Sequence, residues 1–102
     1  MAEYVLSNKA DADLEGIYIY SYETFGAQQA EGYFLSLRDC LNNLAASPHI
    51  GRDAGVLHPG MHSHHHGRHM IYYLIEESGI FVVRVLHDAM DSSRHLTATN
   101  SK

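Results

Sequence analysis

A chain of 102 residues, 45% of them apolar, is long enough for one packed domain and too hydrophobic to stay disordered. Twelve acidic residues against seven basic ones give a formal charge of -5, which argues against a surface that grips RNA or DNA phosphates. No run approaches the ~20 apolar residues of a membrane span, and the N-terminus does not read as a secretory signal. The single cysteine, Cys40, fits the cytoplasm and is expected to be buried rather than nucleophilic.

The first half of the chain predicts a short strand and two helices. Residues 2–6 read as a strand, and Ser7 has the side chain of a helix N-cap. Apolar positions then recur every three or four residues up to Gly26, and Asp13 lies near enough to the helix start to favour its dipole. A second helix is predicted over roughly 27–46. Because few residues join the two helices, they are expected to form an antiparallel hairpin.

The second half changes to the period of β-strands. Glycine and proline mark residues 48–60 as a loop. The histidine-rich segment 62–70 is expected to supply a short strand, and two longer strands follow, joined by a turn at 77–79. The predicted fold is α+β, of order β-α-α-β-β-β, with an N-terminal helix hairpin packed on a small antiparallel sheet. One domain is expected over 1–96, followed by a frayed tail over 97–102.

The last predicted strand, residues 80–87, is apolar on both faces. Strict alternation places Arg84 on the same face as Val82. Since the helices can cover only one face, the other is expected to be an exposed apolar surface that contains Arg84 and meets a partner. Two interpretations of Arg84 stay open. It is either a buried ion-pair partner of Asp88 or Asp91, or a contact to a target.

Five histidines crowd the nine-residue segment HSHHHGRHM. The run is internal and interrupted, so it is not a purification tag. On a strand, His62, His64 and His66 point to one face and His65 to the other. Histidines two apart can chelate zinc or nickel, but the nearby sequence offers no obvious carboxylate or thiolate to complete the site. A polar edge strand is therefore favoured, with no functional metal and no cofactor.

Several segments, in this order and spacing, carry a resemblance to a known family. They are Ala45-x-x-Pro48-x-x-Gly51-Arg52, Pro59-Gly60, Gly67-Arg68-His69 before an aromatic strand, and Arg84-Val85-Leu86-His87 leading to Asp91 and Arg94-His95-Leu96. From about residue 4 to 96 the chain resembles the ParE toxins (plasmid stabilisation toxins) of bacterial toxin–antitoxin modules, within the RelE/ParE superfamily. The resemblance implies the same β-α-α-β-β-β fold, a small cytoplasmic toxin that poisons DNA gyrase, and a ParD-type antitoxin that neutralises it.

The RelE branch of the superfamily instead cuts mRNA on the ribosome. A metal-free ribonuclease needs Lys, Arg, Tyr or His clustered around one phosphate. Here the only lysines are Lys9 and Lys102, and no tyrosine follows His87. Arg84 occupies the position of a strand arginine in the ribonucleases but has few basic companions. Inhibition of gyrase, without a catalytic centre, is therefore favoured over RNA cleavage. A non-toxic, histidine-rich binding module is the third interpretation.

Contacts to the target or the antitoxin are expected at the few permanent charges and their neighbours. Relative to the family pattern, His58 and His62 replace arginines, so contacts through them would tighten as the pH falls toward about 6. The toxin is expected to form a hetero-oligomer with its antitoxin and to bind neither membrane nor specific nucleic-acid sequences. The candidate contact residues are Arg52, Arg68, Arg84, His87, Asp91, Arg94 and His95.

Overall fold

Two helices pack on a five-stranded sheet in the computed structural model, which describes residues 2–88. The elements are β1 (Glu3–Leu6), α1 (Asn8–Phe25), α2 (Ala27–Ala46), a single 3-10 turn (Pro48–Ile50), β2 (Arg52–Asp53), β3 (Met61–His66), β4 (His69–Glu76) and β5 (Gly79–His87). The predicted α+β fold and the helix hairpin are confirmed. The two-residue strand β2 is an addition within the predicted loop. The predicted domain limit and the tail over 97–102 lie outside the described residues.

The helices begin and end where the sequence predicts. The Ser7 hydroxyl accepts the Ala10 N–H at 2.9 Å, as an N-cap should, and donates to the Val83 carbonyl at 2.7 Å. The same side chain therefore starts α1 and ties it to β5. Gly26 ends α1 with a positive φ of 95°, which a residue without Cβ adopts readily, and α2 begins at the next residue.

The sheet is mixed rather than antiparallel throughout. Its order is β1-β5-β4-β3-β2, and β1 runs parallel to β5 while the other neighbours are antiparallel. Turn residues in a sequence indicate only hairpins, in which a strand pairs with the next strand along the chain. The pairing of residues 3–6 with 79–82 joins distant parts of the chain and leaves no such local signal.

A bulge in β5 changes the faces that strict alternation assigns. The pairing with β4 skips Val83, which is an extra residue in the strand. Before the bulge, Val82 faces the helices. After it, Val85 lies in the core beneath the helices and Leu86 on the opposite side. Strict alternation predicts Leu86 on the face of Val82 and Val85 on the other face. Both predictions are wrong, because one inserted residue shifts a period of two by one place.

Both faces of the sheet carry buried side chains. The core beneath the helices contains Cys40, which is buried as expected, and burial raises the pKa of its thiol. On the opposite face, Met61 and Leu86 are only 1% and 2% exposed. Ala54 and Leu57, from the segment after β2, belong to this second cluster. The prediction of a broadly exposed apolar face was therefore wrong, because the segment taken for a simple loop packs there.

Within residues 2–88, neither helix is long and apolar enough to cross a lipid bilayer.

Candidate functional site

An open groove of about 980 Å³ lies between α1, the start of α2 and the end of β5. We call it the α1–β5 groove. It exists because β1 pairs with β5 only as far as Val82, so α1 rather than a strand runs beside the rest of β5. Tyr20 and Phe25 line it and are 64% and 56% exposed. Gly16 and Gly32 also line it, so their missing side chains help to keep it open.

Asp13 joins α1 to β5 at one wall of this groove. Arg84 donates from Nε to Asp13 Oδ2 at 2.8 Å and from Nη2 to Oδ1 at 2.9 Å. Asp13 Oδ2 also accepts the backbone N–H of Val85 at 3.0 Å. The two charged side chains are 14% and 15% exposed, and the hydrogen bonds to Asp13 raise the pKa of Arg84. Arg84 is therefore an ion-pair partner of Asp13.

The structure bears on one of the two interpretations of Arg84: it is an ion-pair partner, but of Asp13 and not of Asp88, while Asp91 lies outside the described residues and a contact to a target stays a prediction. Its described ion pair is with Asp13, whereas the carboxylate of Asp88 lies beside His65 and His87. Its guanidinium also reaches toward α1 instead of standing in an exposed apolar sheet face. The sequence could not show this, because 71 residues separate the two partners.

Two of the other candidate contact residues share the α1–β5 groove. Arg68, exposed in the turn between β3 and β4, and His87, at the end of β5, both line it. His87 Nδ1 lies 3.5 Å from Asp88 Oδ1. Arg52 is exposed on β2, at the opposite edge of the sheet. Outside the described residues lie the other three candidates, Asp91, Arg94 and His95.

Three histidines form a row across one end of the sheet. His66 on β3 pairs with His69 on β4, which pairs in turn with His87 on β5. We call these three the histidine row. The ring centroids of His69 and His87 are 5.5 Å apart. Tyr33 of α2 packs against the row, with its ring centroid 5.8 Å from that of His66 and 5.6 Å from that of His69.

Two hydroxyl groups of α2 bond to the histidine row. The Tyr33 hydroxyl lies 2.7 Å from His69 Nδ1 and donates to the His66 carbonyl at 3.2 Å. The Ser36 hydroxyl lies 3.0 Å from His66 Nε2 and donates to the Tyr33 carbonyl at 2.8 Å. Burial lowers the pKa of both His66 and His69, and neighbouring histidines lower each pKa further. Both shifts favour the neutral rings of His66 and His69.

The remaining strand histidines occupy both faces as predicted. His62 stacks on Tyr73 with ring centroids 5.6 Å apart, on the helix side of the sheet. His65 pairs with Met70 on the opposite face, where its Nε2 lies 3.1 Å from Asp88 Oδ2. Within residues 2–88, no three His, Cys, Asp or Glu side chains are grouped so that they would hold a metal ion.

Sequence reasoning did not identify the helix residues that complete these sites. The sequence pattern connects Asp13 only with the helix dipole and gives Tyr33 no particular partner. Ser36 was not singled out at all. Their partners lie 30 to 72 residues away, so periodicity carries no signal for them.

Comparison with known proteins agrees with this architecture. A family model described as "ParE toxin of type II toxin-antitoxin system, parDE" matches residues 4–92. Toxin ParE1 of Mycobacterium tuberculosis (strain ATCC 25618 / H37Rv) is 40% identical over 96 residues, which are 93% of this chain and 98% of that protein. Toxin ParE1 of Caulobacter vibrioides is 32% identical over 96 residues, which are 94% and 99% of the two chains.

A solved structure shares the fold. It is titled "Chromosomal ParDE TA system from P. aeruginosa", and one of its chains superposes with a TM-score of 0.71 at 18% identity, over 85% of this chain and 96% of that one. The family model and the two relatives extend over most of the sequence, and they agree with the resemblance seen in its motifs. The chain belongs to the ParE toxin family of type II toxin–antitoxin systems.

Proposed function

We propose that this toxin inhibits DNA gyrase and that a ParD-type antitoxin neutralises it by seating a helix in the α1–β5 groove. The observation that carries the first half of the proposal is the ion pair between Asp13 and Arg84. A ribonuclease would need its strand arginine free to meet a phosphate. Here both oxygens of the Asp13 carboxylate already bind the Arg84 guanidinium.

The charge around the groove supports the same choice. Among the described residues that line it, Arg68 is the one permanent cation, and the whole chain carries a formal charge of -5. Stabilising a phosphorane calls for several cations or strong donors aimed at one point. A protein target such as gyrase places no such demand on the groove.

The shape of the groove supports a helix as the part of the antitoxin that fills it. An added strand would need free backbone groups along β5, but Ser7 already bonds to the Val83 carbonyl and Asp13 to the Val85 N–H. An amphipathic helix needs only an apolar surface, which Tyr20 and Phe25 supply. Acidic side chains on such a helix would meet Arg68 at the rim, and the toxin would then be held in a hetero-oligomer.

A supercoiling assay with purified toxin and gyrase tests the first half of the proposal. We expect the toxin to block supercoiling in proportion to its concentration, and added antitoxin to restore it. In cells, induction should cause filamentation and a DNA-damage response while translation continues. Rapid arrest of translation with cut mRNA, and gyrase left active, would instead assign the chain to the ribonuclease branch.

A further inference from the structure

We propose that the toxin holds its target through a second groove, at the β1 edge of the sheet, which takes an apolar segment of gyrase that carries lysines or arginines. This groove measures about 660 Å³ and is lined by β1, the first half of α1 and the middle of α2. We call it the β1 groove. The proposal rests on gyrase as the target and names the surface of the toxin that gyrase contacts.

The floor of the β1 groove is apolar and stays accessible because β1 is an edge strand. The order of the sheet ends at β1, so among the described strands none covers its outer side. Tyr4 and Leu6 of β1 line the groove with Tyr18 of α1 and Phe34 of α2, and all four are only half-buried. Leu35 lines it too and is 41% exposed. Accessible apolar side chains gathered in one concave surface are typical of a site for a protein partner.

Three carboxylates surround this apolar floor. Asp11 and Glu15 on α1 and Glu31 on α2 are exposed, and Arg38 is the one permanent cation among the described residues that line the groove. Within residues 2–88, none of the three carboxylates forms an ion pair. Asp11 lies in the first turn of α1, where it favours the helix dipole, but neither Glu15 nor Glu31 lies in the first turn of its helix. The fold of the toxin alone therefore does not account for these two charges, whereas a basic partner does.

The two grooves differ in the charge that they offer to a partner. In the α1–β5 groove, Asp13 is paired with Arg84, and Arg68 remains at the rim. Acidic side chains of an antitoxin fit that groove and are repelled by the carboxylates of the β1 groove. Gyrase acts on DNA, and an enzyme that holds DNA phosphates carries lysines and arginines on its surface. Charge complementarity thus assigns the β1 groove to gyrase.

An antitoxin in one groove can still keep gyrase out of the other. Both helices line both grooves, so the two sites lie on the same helix hairpin. An antitoxin seated beside α1 would obstruct a target as large as gyrase without touching the carboxylates of the β1 groove. The two partners should therefore exclude each other although they contact different residues.

Charge reversal of one carboxylate on each helix tests the β1 groove. The toxin with both Glu15→Lys and Glu31→Lys should need at least about ten times more protein to half-inhibit supercoiling by gyrase. Its affinity for the ParD-type antitoxin should change less than about twofold, since the α1–β5 groove is untouched. The control carries Glu23→Lys and Asp39→Lys, which make the same change in net charge at exposed positions that line neither groove. This control should inhibit gyrase as the wild-type toxin does.

A second pair of variants tests the apolar floor and decides the question if the lysine variant does not fold. Leu35→Ala should raise the half-inhibiting concentration at least about fivefold, because it removes an apolar contact within the groove. Ile19→Ala is its control, since Ile19 is 48% exposed on α1 and lines neither groove. The urea midpoint of each variant shows that it is folded.

The outcomes separate this proposal from the assignment of gyrase as the target. If the wild-type toxin inhibits gyrase and the groove variants inhibit it as well as their controls do, the target binds elsewhere on the toxin. An equal loss for the groove variants and their controls would show an effect of net charge or of general surface polarity, and would also overturn the proposal. If the wild-type toxin neither binds nor inhibits gyrase, the proposed function itself fails, and this docking surface fails with it.

Discussion

Asp13 on α1 and Arg84 on β5 meet at 2.8 Å beside the part of β5 that β1 does not cover. The same carboxylate satisfies the N–H of Val85, so one side chain closes the edge of the sheet and neutralises a largely buried cation. At this edge, where β5 has no neighbouring strand, Asp13 of α1 supplies the hydrogen bonds to Arg84 and to the Val85 N–H. It also explains why the free half of β5 does not present an unprotected row of backbone donors and acceptors.

Replacing Asp13 with Asn should lower the free energy of unfolding by about 2–3 kcal/mol, because it leaves the Arg84 guanidinium without a countercharge. The matched control is Asp11→Asn. Asp11 lies exposed in the first turn of the same helix. Its replacement should therefore remove only the interaction with the helix dipole and lower the free energy of unfolding by about 0.5 kcal/mol. Urea denaturation at neutral pH measures both. Equal losses for the two variants would show that the ion pair contributes nothing to stability.

A side chain that fills the α1–β5 groove should weaken antitoxin binding without impairing the folding of the toxin. A Cβ at Gly16 would meet nothing within 4 Å, and φ there is not positive. Gly16→Ala should therefore stabilise the helix by about 0.5–1 kcal/mol and leave the groove open. Gly16→Leu should fold equally well but weaken antitoxin binding at least about tenfold, or about 1.4 kcal/mol. Titration calorimetry with the ParD-type antitoxin compares them. Undiminished affinity of the Leu variant would move the antitoxin site elsewhere.

Removing the Tyr33 hydroxyl should cost about 1–2 kcal/mol of stability, because the His69 Nδ1 and the Arg68 N–H lose their shared partner. Tyr33→Phe keeps the ring and its packing. Tyr20→Phe is the control, since Tyr20 is 64% exposed and its hydroxyl is free to bond to water. Thermal and urea unfolding should both show the difference. A loss no larger than that of Tyr20→Phe would mean that the helix is held at this end by packing alone.

Two glycines with positive φ should respond very differently to alanine. At Gly79, where β1 joins β5, a Cβ would collide with the backbone of Glu3, so Gly79→Ala should cost about 3 kcal/mol or more. At Gly60 the nearest atom to a new Cβ is 3.9 Å away, on Leu74. Gly60→Ala should therefore lower the free energy of unfolding by only about 1–2 kcal/mol, which is the cost of holding an alanine at positive φ. Similar unfolding energies for the two variants would show that β1 shifts without cost.

The sequence predicted what depends on neighbours along the chain. Ser7 and Gly26 mark the ends of α1, and the change of period at the histidine-rich strand marks the start of the hairpins. The parallel pairing of β1 and the bulge at Val83 were missed, because neither has a local pattern. The residues of the candidate site also fall into those that the sequence identifies and those that only the tertiary structure reveals. Arg68 and His87 were identified as charges or motif residues, while their neighbours in the groove required the tertiary structure.

The parallel pairing of β1 with β5 also limits when the toxin can complete its fold during synthesis. The first strand and both helices leave the ribosome long before β5 has been made, and the Ser7 cap finds its Val83 partner 76 residues later. Contacts of such long range are formed late and slowly. Until β5 has been made, the helix hairpin has only part of the sheet to pack against. A chain that stops short of β5 would therefore lose more than one strand, because the first strand would have no strand to pair with and α1 would lose its hydrogen bonds to β5.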